Sequence, residues 1–287
     1  MCAGSIPAGG TTTSAPPAAL PSSHHPGGAA VSYQYILVDR EGPYVTITMN
    51  RPERRNALSL GHLRELRDAF RSVGESDALG VILAGNGPVF SAGHDFSEMA
   101  GAGLKEMREL LWTCTDLMET MQRIPQVVIA RVHGLATAAG CQLVATCDLA
   151  VASEEAAFAT PGGKGGWFCH TPLVAVSRTI ARKHALELAL TGDTIDAHTA
   201  LQWGLVNRVV PAELLESATL DLLQRATRGS AFSKGVGKLG FYTQVEMNQH
   251  DAYAYAVELM AAASQSEDAQ EGMRSFLEKR PPTWRNR

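Results

Sequence analysis

The chain has 287 residues, of which 45% are hydrophobic, and this is enough for one large domain with a buried core. Its formal net charge is -4 and no block of Lys and Arg stands out, so the charge does not favour nucleic-acid binding. No apolar run reaches the roughly 18 residues that a membrane span requires. The five cysteines are odd in number and lack Cys-x-x-Cys spacing, so we expect reduced thiols, a cytoplasmic location and no metal site.

The first 32 residues contain no Asp, Glu, Lys or Arg and are rich in Pro, Gly, Ala, Ser and Thr. A segment of this composition cannot bury enough apolar surface to become ordered. It also lacks the Arg residues of a mitochondrial transit peptide and the basic start and apolar core of a signal peptide. We therefore expect a disordered tail over residues 1–32 and one folded domain over residues 33–287.

The folded part is predicted to begin with a β-hairpin, "YQYILV" and "YVTITM" around "DREG". A helix follows in "SLGHLRELRDAFRSV", where Ser59 is placed to cap it. Buried strands are predicted in "GVILAG", "QVVIARVHG" and "DLAVAS", with helices near 104–123 and from about Ala138. Further helices are predicted at about 172–190, 196–203, 211–228, 232–263 and 267–279. Strands alternating with helices, and then helices alone, indicate an α/β fold with an α-helical C-terminal region.

Two loops carry small residues directly after predicted strands: "FSAGHD", from Phe90 to Asp95, and "HGLATAAGCQL", from His133 to Leu143. The second loop also starts a helix, whose first N–H groups have no partner within the helix. Two such N–H groups converging on one carbonyl oxygen would form an oxyanion hole. Small residues also permit tight packing of a strand on a helix, and from either loop alone this simpler interpretation is favoured.

These loops, together with "RPERRNALS" and "EGMRSFLEKRPPTW", resemble the crotonase superfamily of enoyl-CoA hydratases and isomerases. The resemblance covers about Tyr35 to Trp284, with four motifs in the order and spacing of the family. It implies a spiral of ββα turns with an α-helical C-terminal region that forms a homotrimer, often as a dimer of trimers. It also implies an acyl-CoA thioester as substrate, with coenzyme A as part of that substrate and no permanently bound cofactor.

Carried over by position, the two oxyanion N–H groups belong to His94 and Ala139. The resemblance places the contacts to coenzyme A at Arg54, Arg55, Ala92, His94, Asp95, Phe96, Phe276 and Lys279. In the family the last two positions reach the coenzyme A of a neighbouring subunit. Arg and Lys suit phosphate groups, although a solvated turn and a helix C-terminal charge would otherwise be the simpler explanations.

The sequence departs from the family at both catalytic glutamates. Their places are taken by Gln142 and Gly162, the latter in "FATPGG", and neither side chain can transfer a proton. Each general acid or base contributes about 10²- to 10⁴-fold, so ordinary hydration is not expected. A positive φ at Gly162 would in addition make a side chain there costly. Gln142 retains an amide that could hold a water or a carbonyl.

Three alternatives remain open from the sequence. "SAGHD" also occurs in methylmalonyl-CoA decarboxylases of the superfamily, where the histidine is in the active site, so decarboxylation through His94 is one alternative. Those enzymes pair the histidine with a tyrosine, and the nearest alignment here has Phe168. His170 could instead serve as an acid or base, although a structural or surface imidazole is favoured there. The third alternative is a non-catalytic protein that binds acyl-CoA.

Overall fold

The structure is a computed structural model that describes residues 32–287. Apart from Ser32, the predicted tail lies outside the described residues and stays a prediction. None of the helices in the described part is both long enough and apolar enough to span a bilayer.

A mixed sheet forms the centre of the fold. In the described part the strands are β1 (Ile36–Glu41), β2 (Tyr44–Met49), β3 (Gly80–Gly85), β4 (Val127–Val132), β5 (Leu135–Thr137), β6 (Leu149–Ser153), β7 (Ala157–Ala159), β8 (Ile195–Asp196) and β9 (Arg208–Val210). The larger sheet has the order β1-β2-β3-β4-β6-β9, in which only the β1–β2 hairpin is antiparallel. A smaller sheet has the order β5-β7-β8. The predicted hairpin and the three predicted buried strands are confirmed.

Helices cover the larger sheet and form the C-terminal region. Within residues 32–287 they are α1 (Leu60–Gly74), α2 (Phe96–Met99), α3 (Leu104–Arg123), α4 (Ala139–Thr146), α5 (His170–Thr179), α6 (Arg182–Thr191), α7 (Ala197–Trp203), α8 (Leu215–Thr227), α9 (Ala231–Gln244), α10 (Gln249–Ala263) and α11 (Glu267–Leu277). The Ser59 side chain accepts a hydrogen bond from the N–H of His62, so the predicted cap of α1 is confirmed.

Two predicted helices are each interrupted. The helix expected over 172–190 is divided into α5 and α6 because Ile180 and Ala181 adopt extended backbone conformations. The helix expected over 232–263 is divided into α9 and α10. Asn248 there leaves the helical conformation and accepts a hydrogen bond from the N–H of Asp251, which starts a new helix.

The sheet is buried on both faces, as parallel strands require. In β3, Val81 and Leu83 belong to the main core beneath α1 and α3, whereas Ile82 and Ala84 belong to a second core that includes Leu223 of α8. Strands β2, β3 and β4 run parallel and in register, so their carboxyl ends lie at one edge of the sheet. The three loops that leave this edge, 50–59, 86–95 and 133–138, therefore meet.

Candidate active site

Hydrogen bonds join the two small-residue loops. The N–H of Ser91 donates to the carbonyl of Leu135 at 3.2 Å, and the N–H of Thr137 donates to the carbonyl of Ser91 at 3.0 Å. These bonds form a short parallel bridge between Ser91 and Ala136. The two loops that the sequence predicted to cooperate are thus held side by side.

Gly93 and the start of α4 are in very close contact. A Cβ added to Gly93 would lie 2.9 Å from both the Ala138 Cβ and the Thr137 carbonyl oxygen, and 3.2 Å from the Ala139 nitrogen. Gly93 also has a φ of +83°. Ala138, the residue before α4, has φ 51° and ψ −118°, a conformation that residues with a Cβ seldom adopt. Strain of this kind is concentrated at functional sites.

The N–H groups of His94 and Ala139 are free to meet a ligand. The N–H of Leu58 donates to the carbonyl of Gly93, and the N–H of Asp95 donates to the carbonyl of Leu58. Because successive N–H groups of an extended segment point to opposite sides, the N–H of His94 faces away from Leu58. Neither His94 nor Ala139 uses its N–H in a hydrogen bond to any other described residue.

The imidazole of His94 lies within the same site. It is 8% exposed, and neither ring nitrogen has a hydrogen-bond partner of ordinary geometry among the described residues. Burial lowers the pKa of His94 to about 4, against a weak opposing contribution from the Leu58 backbone. The side chain is therefore a neutral imidazole at neutral pH, with a free donor and a free acceptor.

Asp95 anchors the loop, as the sequence predicted. Its carboxylate accepts hydrogen bonds from the N–H and hydroxyl of Ser97 at 3.1 and 2.6 Å, which start α2. It also pairs with Arg54 at 3.1 Å and with Arg51 at 3.5 Å. Burial alone would raise the pKa of Asp95. The hydrogen bonds from Ser97 and Arg54 outweigh burial and lower the pKa, so the carboxyl group is ionised. These contacts tie together two of the loops.

The predicted contacts to coenzyme A are brought together only in part. Arg54 lies beside Asp95, with about half of its side chain exposed, and the next residue, Arg55, is exposed and has a φ of 52°. Ala92 donates its N–H to the carbonyl of Arg55 at 3.0 Å, and Phe96 is 69% exposed. These loop residues share one surface at the carboxyl edge of the sheet.

The other two predicted contacts lie at the end of α11. Phe276 is 82% exposed, and Lys279 follows it with a φ of 55°. Their role stays a prediction.

Gln142 stands one helical turn after Ala139 and is 4% exposed. The thiol of Cys114, on α3, donates to the Gln142 Oε1 at 4.0 Å, so the Gln142 amide reaches α3. Gln142 lines a groove of about 880 Å³ between α3, α4, α5 and α9.

Gly162 has no room for a side chain. A Cβ there would lie 2.2 Å from the carbonyl oxygen of Trp167 and 2.7 Å from the sulfur of Cys169. The expectation of a positive φ is wrong, because Gly162 lies in a 3₁₀ turn, Pro161–Gly163, and is absent from the left-handed residues. Burial raises the pKa of Cys169, and a hydrogen bond from the Gly162 N–H opposes this only partly, so Cys169 is a thiol.

His170 is the first residue of α5 and is exposed. Its ring packs edge-on against Phe168, with ring centroids 5.2 Å apart. The residue therefore has a structural contact, and its role as an acid or base stays a prediction. In the described part, no group of three or more His, Cys, Asp or Glu side chains is arranged to hold a metal ion.

Sequence reasoning missed the residue that joins two of the three loops, 50–59 and 86–95. Asn56 is fully buried and accepts the N–H of Arg51 at 2.9 Å. Its Nδ2 donates to three carbonyls, those of Asn86, Val89 and Phe90, at 2.8 to 3.1 Å. The sequence could have indicated this residue, because an Asn in a predicted turn tolerates the left-handed conformation. Asn56 adopts that conformation, with φ 51°.

Most of the chain is similar to known proteins. The family profile described as "Enoyl-CoA hydratase/isomerase" matches residues 40–287. The "Enoyl-CoA hydratase domain-containing protein 3, mitochondrial" of Danio rerio is 44% identical over 252 residues, which is 87% of this chain and 87% of that protein.

Solved structures show the same fold. The crystal structure of an enoyl-CoA hydratase from Mycobacterium smegmatis has a TM-score of 0.85 at 44% identity, covering 88% of this chain and 99% of that chain. The crystal structure of human enoyl-CoA hydratase domain-containing protein 3 has a TM-score of 0.84 at 39% identity, covering 88% and 100%. The expected crotonase fold is thereby confirmed, and its trimeric assembly stays a prediction.

Proposed function

Because the chain belongs to the enoyl-CoA hydratase/isomerase family, we propose that it binds an acyl-CoA thioester and polarises the thioester carbonyl between two backbone N–H groups, those of His94 and Ala139. The observation that supports this most directly is the contact between Gly93 and the start of α4. Gly93, the residue before His94, lies against the Ala139 nitrogen, and Ala138, the residue before α4, has a strained backbone.

The chemistry follows from where negative charge develops. Attack on the carbonyl, or loss of a group from the α-carbon, places charge on the thioester oxygen. Two fixed N–H donors and the positive end of α4 stabilise that charge without having to reorganise. Each donor is worth about 3 to 4 kcal/mol of barrier in sites of this type.

Ordinary hydration is not part of the proposal. Adding water to a double bond requires a base for the water and an acid for the α-carbon. Gln142 can hold a water molecule or a carbonyl by its amide, but it cannot accept a proton. Gly162 supplies no side chain, and burial keeps the nearby Cys169 protonated.

Decarboxylation is a second candidate, favoured by the buried, unpartnered imidazole of His94. The bond from the α-carbon to a substrate carboxylate would break, carbon dioxide would leave, and the electron pair would pass into a thioester enolate held by the two N–H groups. A bound substrate carboxylate would raise the pKa of His94, so that the imidazole becomes protonated. It could then deliver the proton to the α-carbon.

A panel of thioesters tests these proposals. Binding is measured by calorimetry with butyryl-CoA, hydration with crotonyl-CoA, and release of carbon dioxide with malonyl-CoA and methylmalonyl-CoA. Saturable binding with no product from any thioester would favour a non-catalytic binding protein. Loss of carbon dioxide that disappears in His94→Ala would favour decarboxylation, and absence of any thioester binding would overturn the proposed function.

We also propose that the C-terminal helices form the contact between subunits. α10 buries no residue in the isolated chain, and Tyr253, Val257 and Met260 are each more than half exposed along it. A contiguous exposed apolar face of this kind marks an interaction site. Light scattering during gel filtration should show a trimer or hexamer that Met260→Glu dissociates. The matched control is Leu190→Glu, on the exposed side of α6.

The compartment is left to experiment. The relative from Danio rerio is named as mitochondrial, whereas the cysteine pattern, together with the lack of transit-peptide features in the first 32 residues, predicted a cytoplasmic location. Fractionation of cells that express the full chain distinguishes the two.

A further inference from the structure

The groove beside Gln142 has two chemically different ends. At one end Gln142 and Thr171 line it, close to the start of both α4 and α5. At the other end it is lined by Arg178 and Arg182, at the end of α5 and the start of α6. The hydroxyl of Thr179 donates to the carbonyl of Ala145 at 3.0 Å, so α5 ends beside the end of α4.

The length of the groove follows from this arrangement. From Thr171 to Arg178, seven residues of helix advance roughly 10 Å. Between the two ends the lining includes the apolar side chains of Met118, Val174, Ala175 and Phe241. An acyl chain that starts at the thioester near Gln142 must therefore be several carbons long to reach the far end.

The charges in the lining leave one cation without a partner. Each carboxylate there is paired: Asp148 with Lys238 at 2.8 Å, Glu119 with Arg123 at 2.8 Å, and Glu246 with Arg178 at 2.6 Å. Arg182 lines the same groove and forms no ion pair with any described residue. It is also the first residue of α6, whose N-cap, Ala181, provides no side-chain hydrogen bond.

An anion is the partner that this end lacks. The first N–H groups of a helix carry partial positive charge, and an arginine at the same place adds a full charge and planar donors. At the other end, the buried Gln142 lines the groove, and its Oε1 lies 4.0 Å from the Cys114 sulfur. The far end of the groove is thus cationic, and apolar side chains separate it from the Gln142 end.

We infer that the groove receives an acyl chain that ends in a second carboxylate, and that Arg182 with the start of α6 binds this distal carboxylate. The substrate class is then the ω-carboxyacyl-CoA thioesters of medium chain length. This inference rests on the proposed function, since it requires that the thioester lies at the His94 and Ala139 N–H groups. The inference adds to the proposed function that Arg182 selects among thioesters.

Calorimetry with two thioesters of equal chain length tests it: octanoyl-CoA, and suberyl-CoA, which carries a terminal carboxylate. The full chain should bind suberyl-CoA at least as tightly as octanoyl-CoA. Arg182→Gln should weaken the binding of suberyl-CoA alone by about 5- to 10-fold, as expected for a pair with an exposed arginine that is aided by a helix N-terminus. The matched control is Lys183→Gln, the adjacent exposed cation, which does not line the groove and should change neither affinity.

The other outcomes separate the inference from the proposed function. Equal weakening of both thioesters by Arg182→Gln would mean that Arg182 contacts the phosphates of coenzyme A, and would overturn the inference. Unchanged suberyl-CoA affinity in Arg182→Gln, or wild-type affinity for suberyl-CoA far below that for octanoyl-CoA, would also overturn it while leaving thioester binding intact. If neither thioester binds to the wild-type chain, the proposed function fails and the inference fails with it.

Discussion

Gly162 and Trp167 approach so closely that a Cβ at Gly162 would lie 2.2 Å from the Trp167 carbonyl oxygen. The obstacle is backbone, which cannot turn away as the end of a flexible side chain can. A glutamate at this position, which the resemblance to the family leads us to expect, would therefore collide with the backbone of the chain itself.

The first prediction concerns the attempt to restore hydration. On chemical grounds the double change Gln142→Glu and Gly162→Glu restores both carboxylates, each of which should raise the rate of hydration at least about 10²-fold. The contact with Trp167 predicts instead a destabilised protein with no gain in crotonyl-CoA hydration, since overpacking commonly costs about 1 to 3 kcal/mol. Gln142→Glu alone should fold, because the two side chains have nearly the same shape. Hydration assays and thermal melts of both variants check this.

The outcome is judged from both the folding and the hydration activity of the double variant. A double variant that folds, binds thioester and gains hydration would show that the 161–169 loop moves aside readily. Brisk hydration by the unmodified chain would contradict the premise itself. Another residue would then have to carry the proton, and His170→Ala would be the first variant to test.

A second prediction concerns the oxyanion N–H groups. Ala139→Pro replaces the N–H by a ring carbon, which removes a donor and fills the space that a carbonyl oxygen would occupy. Proline is compatible with the first position of a helix, so α4 itself should persist. Turnover of any thioester substrate should fall by about 10²- to 10³-fold, more than in His94→Ala, which keeps both N–H groups. A larger effect of His94→Ala, with binding retained, would indicate that the imidazole is catalytic.

The sequence predicted the long elements well because they carry a clear period. Strand β3 is apolar throughout and α1 repeats its apolar residues on one face, so both were found. Strands β5 and β7 have only three residues each, and such short segments show no period. The oxyanion loops were located from small residues and the family pattern, whereas the crowding at Gly162 depends on where the Trp167 backbone returns. The unpaired state of Arg182 likewise exists only once the partners of all neighbouring charges are known.

A third prediction uses the contact between Gly93 and α4. Gly93→Ala places a methyl group 2.9 Å from the Thr137 carbonyl oxygen and should separate the two loops. The matched control is Gly101→Ala, because Gly101 has a φ of +82° and no atom within 4 Å of its Cβ position. Both variants carry the strain of a positive φ, about 1 kcal/mol, but only Gly93→Ala should lose thioester affinity and turnover. Equal losses in both variants would mean that strain alone is responsible.

A fourth prediction follows from two buried histidines. Burial lowers the pKa of His62 and of His94 to about 4, so both stay neutral in the folded protein while the unfolded chain takes up protons below about pH 6.5. The unfolded state then binds more protons, and the free energy of unfolding falls as the pH falls from about 6.5 to 4. Each group contributes up to about 1.4 kcal/mol per pH unit in this window. His94→Asn should show a shallower pH dependence in urea unfolding, and an unchanged slope would contradict the low pKa.

The last prediction concerns an ionic cluster that fixes α9 to the sheet. Lys238 is almost fully buried, lies 2.8 Å from Asp148 and donates to the carbonyls of Met121 and Gln126, also at 2.8 Å. Burial lowers the pKa of Lys238, and the neighbouring Asp148 carboxylate opposes this. Tyr242 donates its hydroxyl to the other Asp148 oxygen at 2.8 Å. The end of α3, the start of β6 and α9 are therefore joined through Lys238 and Asp148.

Removing one partner of this cluster should be more damaging than removing both. Lys238→Met leaves the Asp148 carboxylate without its cation and should lower the free energy of unfolding by about 3 kcal/mol, because an unpaired buried charge is strongly unfavourable. Adding Asp148→Asn removes that charge, so the double variant should be more stable than the sum of the single effects predicts. Tyr242→Phe, which removes one hydrogen bond, should cost only about 1 kcal/mol. Urea unfolding of the wild type, Lys238→Met, Asp148→Asn and the double variant forms a thermodynamic cycle, and strictly additive losses would show that Lys238 and Asp148 contribute independently.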